Sequence, residues 1–444
     1  MKRTCFRPVM TAIAAACLLP AALHAQTTLQ SPPGGQLGES ASQPAGQSAA
    51  TPMTVDATTN MATSVSPAAS ISQPFPQTFP GLLPGDREGL RFRAMAGVER
   101  DDNVLRTSAG QISDTITGLG LGLRYTKRIS QQVVVLDVEA NQYNYDRLGT
   151  DYNTLNYAAA WNFRFGQVDG VASAERRQFR DVTANGAVGI VNRRTERQEL
   201  LEGRYRLGAA WRILAGLQNN TTRSNDPTAW DGNQEVRSVR FGGAYEFASG
   251  SSITARWRVG DGEFQNAPAG AGAGFDDNEV DVSLRWLFSP RTTINARLGH
   301  LDRDHDGAPG RNFSGVVGGA DVSYMITAKT SVVAGYARDL GSYLGGTAGH
   351  LSSDRWFVGP TWRATELITV TGRYEHETRR FEDAAGSPDV GRRDRFNVLS
   401  AGVDWSIRRS ITLSAQLRNE RRSSSLPAFN YRANVIGLSA RLTI

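Results

Sequence analysis

From Gly89 onward, apolar and polar side chains alternate along the chain with a period of two. Residues 279–288 place apolar side chains at even positions and polar ones at odd positions up to Arg285, and 155–165 and 411–420 alternate likewise. This spacing is typical of β-strands that have one apolar face. No later segment has the roughly 18 or more consecutive apolar residues that a membrane-spanning helix needs. The pattern therefore predicts an all-β fold.

Turn signals divide this region into an even number of strands. Tight connections such as Ser289-Pro290 alternate with longer ones such as 181–196 and 381–393, which are richer in Gly, Asp and Asn. The predicted strands are 89–100, 112–125, 132–145, 153–165, 169–180, 197–211, 212–222, 234–247, 251–263, 276–288, 291–303, 312–326, 329–340, 352–364, 366–380, 394–407, 410–422 and 429–444. The run Glu175-Arg176-Arg177 interrupts the apolar face of the fifth strand. Eighteen strands with alternating short and long connections predict a transmembrane antiparallel up-and-down β-barrel over residues 89–444.

Aromatic residues provide a second indication of a barrel. They cluster at the ends of even-numbered strands, which would reach the periplasmic interface: Tyr125, Trp161, Phe163, Trp211, Tyr245, Phe247, Trp286, Phe288, Tyr324, Trp362 and Trp405. Barrels of the outer membrane have aromatic girdles at both interfaces. The alternative is a secreted propeller or solenoid, and the hairpins recur at a spacing close to the ~40–45 residues of a propeller blade. The uneven loops and the girdle favour the barrel.

The first 88 residues differ in character from the rest. Residues 1–25 have a basic start, an apolar stretch at 9–23 and a plausible cleavage point after Ala25, as in a secretory signal peptide. Residues 26–88 are rich in Ser, Thr, Pro, Gln, Ala and Gly and have almost no charge before Asp86. Such a segment cannot bury enough apolar surface to fold. It predicts a disordered periplasmic linker or, alternatively, a segment that docks on a partner or enters a pore.

Composition narrows the possible chemistry. The only two cysteines, Cys5 and Cys17, lie in the predicted signal peptide, so the mature chain would have neither a disulfide nor a thiolate site. The formal net charge is +6, and the leader contains three of the basic residues and no acidic one, which leaves a mild +3. That balance does not indicate a nucleic-acid partner. We also find no catalytic constellation, so the chain is not expected to be an enzyme.

The polar face of the strands is the candidate functional surface. If the apolar face meets lipid, the other face lines an aqueous channel, which barrels of this strand number contain. The candidate lumen residues are Arg124, Arg164, Arg204, Arg206, Arg240, Arg256, Arg258, Arg285, Arg297, Arg373, Asp137, Glu139, Glu279, Asp281, Glu375 and Glu377. They would form either a wet wall of paired charges or a track of hydrogen-bonding groups for a polyhydroxylated chain. Their mixed signs argue against a strict ion filter.

One segment has part of a metal-binding motif. Asp302, Asp304 and Asp306, followed by Gly307, match the first half of a calcium loop. The residue where the closing glutamate should stand is Phe313. The alternative is an ordinary polar surface loop. We therefore expect no cofactor, with Ca²⁺ bound in this loop as the alternative.

The first predicted hairpin resembles a known family. Its run Gly97-Val98-Glu99-Arg100-Asp101-Asp102-Asn103-Val104-Leu105-Arg106, followed by Ser113-Asp114-Thr115, together with the layout of 89–444, resembles the EpsL-type outer-membrane barrels. Those proteins belong to exopolysaccharide biosynthesis systems associated with exosortase/PEP-CTERM sorting, within a broader class of β-barrel porins. The resemblance implies a part in moving exopolysaccharide across the outer membrane, and it brings no catalytic residues.

The sequence therefore predicts an outer-membrane channel for exopolysaccharide export, reached after cleavage of the signal peptide. Two alternatives remain open, namely a general diffusion porin for small solutes and a closed barrel with a structural or surface-binding role. The expected partners are outer-membrane lipid, a polysaccharide chain and the periplasmic or inner-membrane machinery that makes it.

Overall fold

A computed structural model describes residues 88–181, 192–225, 233–267, 272–342, 350–382 and 391–444. Its strands are β1 (Gly89–Asp101), β2 (Asp114–Ile129), β3 (Gln132–Tyr145), β4 (Tyr152–Phe165), β5 (Val168–Asp181), β6 (Asn192–Arg206), β7 (Trp211–Ser224), β8 (Gln234–Glu246), β9 (Ser252–Phe264), β10 (Gly274–Ser289), β11 (Thr292–His305), β12 (Phe313–Met325), β13 (Thr330–Ser342), β14 (His350–Arg363), β15 (Ile368–Glu382), β16 (Arg393–Arg408), β17 (Ile411–Ser424) and β18 (Tyr431–Thr443). The predicted signal peptide at 1–25 and linker at 26–88 lie outside the described residues, except for Glu88.

The strands form one closed antiparallel barrel. Each strand pairs with its neighbours in sequence, and β1 also pairs with β18, from Arg93 opposite Thr443 to Asp101 opposite Val435. The seam between β1 and β18 continues in a reciprocal pair of backbone hydrogen bonds between Phe92 and Ile444, of 2.8 and 2.9 Å. Closure leaves no sheet edge open, so the predicted eighteen-stranded barrel is confirmed.

Connection length differs between the two ends of the barrel. Two to five residues connect each even-numbered strand to the next, whereas six to twelve connect each odd-numbered strand to the next. We call these the short-turn end and the long-loop end. Exposed aromatic side chains gather near the short turns, among them Trp211, Phe288 and Trp362. In the part of the chain that the structure covers, no helix is long and apolar enough to cross a membrane.

The sixth strand differs most from its predicted bounds. We predicted 197–211, whereas β6 runs from Asn192 to Arg206 and the turn to β7 contains Gly208 with a positive φ of 151°. The polar run 193–197 favours a loop in isolation, but its side chains alternate between the two faces of the sheet and pair with β5. The charged run that interrupts the fifth predicted strand also alternates in this way, so β5 is continuous.

Candidate functional site: the inner wall of the barrel

The two faces of the sheet have opposite character. Along β2, Leu119, Leu121 and Leu123 are exposed, whereas Arg124 on the other face is buried. Strand pairing carries this alternation around the barrel, so one face is an apolar exterior and the other is the polar inner wall. By register, the inner wall includes all sixteen predicted lumen residues: Arg124, Arg164, Arg204, Arg206, Arg240, Arg256, Arg258, Arg285, Arg297, Arg373, Asp137, Glu139, Glu279, Asp281, Glu375 and Glu377. Their action on a solute stays a prediction.

The densest group of inner-wall charges lies on β9, β10 and β11. Arg256 pairs with Asp281 at 2.8 Å, and Arg258 pairs with Glu279. Arg297 also pairs with Glu279 and lies 3.4 Å from Asp281. All five side chains are at most 7% exposed. Buried charges are tolerated when they are paired and hydrogen-bonded, so this group forms a fixed network on the wall.

A second network joins β1 to β3 across the intervening strand. Arg93 of β1 donates two hydrogen bonds to Asp137 of β3, at 2.6 and 2.9 Å. Glu139 lies 3.5 Å from Arg93, and Arg124 of β2 lies 3.6 Å from Asp137. The network thus ties three consecutive strands together on the inner face.

Glycines on the inner wall allow arginine side chains to cross a neighbouring strand and reach a carboxylate beyond it. The Arg93 side chain crosses β2 at Gly122, where an added Cβ would come within 2.9 Å of Arg93 Nε. Similarly, a Cβ at Gly216 would lie 3.1 Å from Cγ of Arg240, whose guanidinium reaches Glu202 at 3.4 Å. Because these positions have no side chain, the long arginines lie flat against the wall. Their burial therefore does not require them to fill the centre of the barrel.

The remaining predicted residues fall into smaller groups. Arg204 and Arg206 lie 3.0 and 3.1 Å from Asp169 near the short-turn end. Arg373 pairs with Glu375 at 3.0 Å. Arg164 is exposed and, among the described residues, takes part in no ion pair. The inner wall thus combines paired charges with at least one arginine that is open to solvent.

Sequence reasoning missed inner-wall residues near the long-loop end. Arg303 pairs with Asp277 at 2.6 Å, and both side chains are at most 4% exposed. Arg392 pairs with Asp394 at 2.9 Å and stacks on Phe429 with its guanidinium carbon 3.5 Å from the ring centroid. The alternation of strand faces could have identified Asp277, because it lies two residues before Glu279 and therefore shares its face.

The first hairpin, which carries the family resemblance, is bonded to the last two strands of the barrel. Arg106, in the loop after β1, pairs with Asp101 at 2.7 Å and with Glu420 of β17 at 2.9 Å. Asn103 donates its side-chain amide to the backbone carbonyl of Arg432 in β18 at 2.9 Å. Burial alone would lower the pKa of Arg106, but the carboxylates of Glu420 and Asp101 raise it above its usual value. The guanidinium is therefore a permanent cation that ties the loop to β17.

In the second part of the same motif, Asp114 binds the backbone of a neighbouring loop. One carboxylate oxygen of Asp114 accepts a hydrogen bond from the backbone N–H of Arg147 at 3.0 Å, and the other accepts one from Leu148 at 3.0 Å. Both donors lie in the connection between β3 and β4. Asp114 thus holds a neighbouring loop, and local stability explains its place in the motif.

The predicted calcium residues do not form a loop around one point. Asp302 and Asp304 belong to β11, and Asp306 follows that strand. Asn312 donates its side-chain amide to Asp304 at 2.7 Å. An extended strand does not wrap its carboxylates around an ion as a calcium loop does. Within the described ranges, no three or more His, Cys, Asp or Glu side chains are grouped to hold a metal ion.

Comparison with known proteins gives one family match. Residues 276–444 match the family described as "Putative beta-barrel porin 2". No curated protein sequence matches this chain.

Among solved structures, OpdK with vanillate from Pseudomonas aeruginosa is 12% identical, with a TM-score of 0.46 over 80% of this chain and 99% of that one. OccK2 (OpdF) in complex with glucuronate, from the same organism, is 13% identical, with a TM-score of 0.47 over 80% of this chain and 98% of that one.

Proposed function

We propose that this chain is an outer-membrane porin through which small hydrophilic solutes diffuse. The observation that carries the proposal is a closed eighteen-stranded barrel with an apolar exterior and a charged inner wall. Large contiguous apolar surfaces are unfavourable in water and favourable in lipid, whereas a charged wall needs water or paired charges. The match of residues 276–444 to a porin family supports the same function.

The orientation follows from the connections. Barrels of the bacterial outer membrane have short turns on the periplasmic side and longer loops outside. We therefore place the short-turn end in the periplasm and the long-loop end at the cell surface. The exposed aromatic side chains Trp286 and Trp405, near short turns, would then lie at the periplasmic interface.

The inner wall favours weak selectivity. Most of its charges are paired, as Arg256 is with Asp281, so they project little net field into the lumen. Arg164 differs from these pairs, because it is exposed and has no ion-pair partner within the described residues. We infer a channel that passes solutes of either sign, with a modest preference for anions near the short-turn end.

Single-channel recording in planar lipid bilayers tests this proposal. The purified barrel should conduct, and Arg164→Gln should lower its anion-to-cation permeability ratio. The matched control is Arg237→Gln, which removes an exposed arginine of the outer face that is paired with Glu235 at 2.6 Å. A barrel that inserts without conducting would overturn the porin proposal, and equal permeability ratios in the two variants would overturn the role of Arg164.

Exopolysaccharide export is a second candidate, favoured by the resemblance of the first hairpin. Because Asp101, Asn103 and Arg106 are bonded within the barrel, that motif has a structural explanation that needs no polymer. Deletion of the gene distinguishes the two functions. An export conduit predicts less secreted polymer and more polymer in the periplasm, whereas a diffusion porin predicts unchanged secretion and altered uptake of small solutes.

A further inference from the structure

The outer face of β16, β17 and β18 ends in a row of arginines at the long-loop end. Arg393, Arg395, Arg421 and Arg432 are all exposed there. In the part of the chain described by the structure, none of these four side chains takes part in an ion pair. We call these four residues the arginine row. It contrasts with the inner wall, where most arginines have a carboxylate partner.

The arginine row lies at a constant distance from the apolar exterior. Each of the three strands has the same outer-face series towards the long-loop end. An exposed aliphatic residue comes first, an asparagine lies two positions nearer that end, and an arginine lies two positions nearer still. The three series are Leu399–Asn397–Arg395, Leu417–Asn419–Arg421 and Ile436–Asn434–Arg432. Four residues of a strand span about 13 Å. With a tilt of roughly 40°, the guanidinium-bearing residues lie about 10 Å beyond the aliphatic ones along the membrane normal.

That height corresponds to the headgroup level. The polar region adds roughly 5–8 Å to each side of the hydrocarbon core. The intervening asparagines bond to the protein, since Asn419 donates to Asn434 at 2.6 Å and Asn434 donates to Asp102 at 2.7 Å. The arginines, in contrast, lie beyond these asparagines, at the height of the lipid headgroups.

Two like-charged pairs lie in this region, and the described residues neutralise only one of them. Arg421 lies directly opposite Arg432 across β17 and β18, and Arg380 lies directly opposite Arg393 across β15 and β16. Like charges directly opposite each other destabilise a sheet. Arg380 is compensated by Asp354 at 2.5 Å, but Arg421 and Arg432 are not compensated within the described residues. An external anion would remove this repulsion.

We propose that the arginine row binds the phosphate groups of a phosphorylated lipid in the outer leaflet of the membrane. This inference rests on the proposed porin function, because that function places the long-loop end outside. Arginine suits the ligand, since its planar guanidinium binds phosphate oxygens through two parallel hydrogen bonds. The outer face is not uniformly basic, because the corresponding ends of β10 and β11 carry Asp276, Asp302 and Asp304 there.

Native mass spectrometry of the full barrel in detergent, titrated with bisphosphorylated lipid A, tests the inference. The double variant Arg421→Gln/Arg432→Gln should bind this lipid roughly 25-fold more weakly, about 5-fold for each arginine removed from an anionic lipid surface. The Arg237→Gln control should bind like the unchanged protein. A heat-dependent shift in gel mobility checks that each variant is folded, and conductance is recorded on the same preparations.

Each outcome has a defined meaning. Equal binding by the double variant, or equal binding of lipid A whose phosphates have been removed, would overturn the lipid site. Displacement of the lipid by millimolar inorganic phosphate would also overturn it, since the row would then be a site for small anions. A conducting barrel without phosphate-dependent lipid binding would refute this inference and leave the porin function intact. Lipid binding without conductance would refute the porin function and leave the lipid site intact.

Discussion

Replacing Gly122 with alanine is expected to detach Arg93 from the inner wall. The new Cβ would lie 2.9 Å from Nε, 3.0 Å from Nη2 and 3.3 Å from Cζ of Arg93. Ordinary contacts between non-bonded heavy atoms are about 3.5–4.0 Å, so the guanidinium must move by roughly 0.5–1 Å. Its bonds to Asp137, now 2.6 and 2.9 Å, would then lengthen towards or beyond the roughly 3.2 Å limit of an N–H···O hydrogen bond.

The free energy of unfolding should fall by about 1–2 kcal/mol. Hydrogen bonds to a charged group contribute about 1.5–3 kcal/mol, and the Arg93 and Asp137 side chains are only 13% and 6% exposed, so this range needs little discount for solvent. Replacing a strand glycine with alanine by itself stabilises a strand by about 0.5–1 kcal/mol, which offsets part of the loss. The displaced guanidinium would also point into the lumen and lower the conductance.

Gly203→Ala is the matched control, because no heavy atom lies within 4 Å of the position its Cβ would occupy. In urea titrations of the barrel folded into lipid vesicles, Gly203→Ala should be stabilising and Gly122→Ala destabilising. In an Arg93→Ala background, Gly122→Ala should lose its penalty, as expected for two residues in contact. Effects of the same sign in both single variants, with unchanged conductance, would refute the idea that glycines allow arginines to lie flat.

Three further predictions concern the lipid face, the seam and the aspartates of β11. Leu121→Arg, at the middle of β2, should lower the free energy of unfolding in vesicles by about 2–4 kcal/mol. Ile129→Arg, at the short-turn end of the same strand, should lower it by only about 0–1 kcal/mol. Equal losses in the two variants would contradict a membrane-spanning β2. Arg106→Gln removes this cation from the buried carboxylates of Asp101 and Glu420, although Glu420 keeps Arg418 at 2.8 Å. The free energy of unfolding should therefore fall by about 1.5–3 kcal/mol, and protease should cleave the loop after β1 faster. An unchanged cleavage rate would show that the ion pair does not hold the loop. Removal of Ca²⁺ with a chelator should leave the thermal unfolding temperature unchanged, because the carboxylates of β11 are extended along a strand; a clear decrease would restore the calcium hypothesis.

Much of the fold could be predicted because the signals are local. A period of two identifies each strand, and turn residues mark its ends. Parity also assigns faces, which is why Arg256 and Glu279 could be placed on one wall from sequence alone. The shift of β6 shows the limit, since the charged run from Arg193 to Glu196 lacks an apolar face and belongs to the strand only through its pairing with β5.

The ion pairs could not be predicted in the same way. Arg93 meets Asp137 two strands away, and the contact depends on a glycine in the strand between them. Arg106 and Glu420 are 314 residues apart, and only closure of the barrel brings them together. The calcium motif stays a prediction, and the short pattern gave no sign that Asp302 and Asp304 continue a strand.

The seam also determines where the entropic cost of forming this barrel falls. Every other strand pair joins neighbours in sequence, whereas the Asp102–Asn434 bonds join residues 332 apart. Closing a flexible loop of that length costs roughly 5 kcal/mol, well above the cost of closing one hairpin. The polar bonds of the first loop are concentrated at this junction, where a separated edge would otherwise expose two unpaired strands. We therefore expect the junction of β1 and β18 to be the last part of the ring to form and the first to open under denaturing conditions.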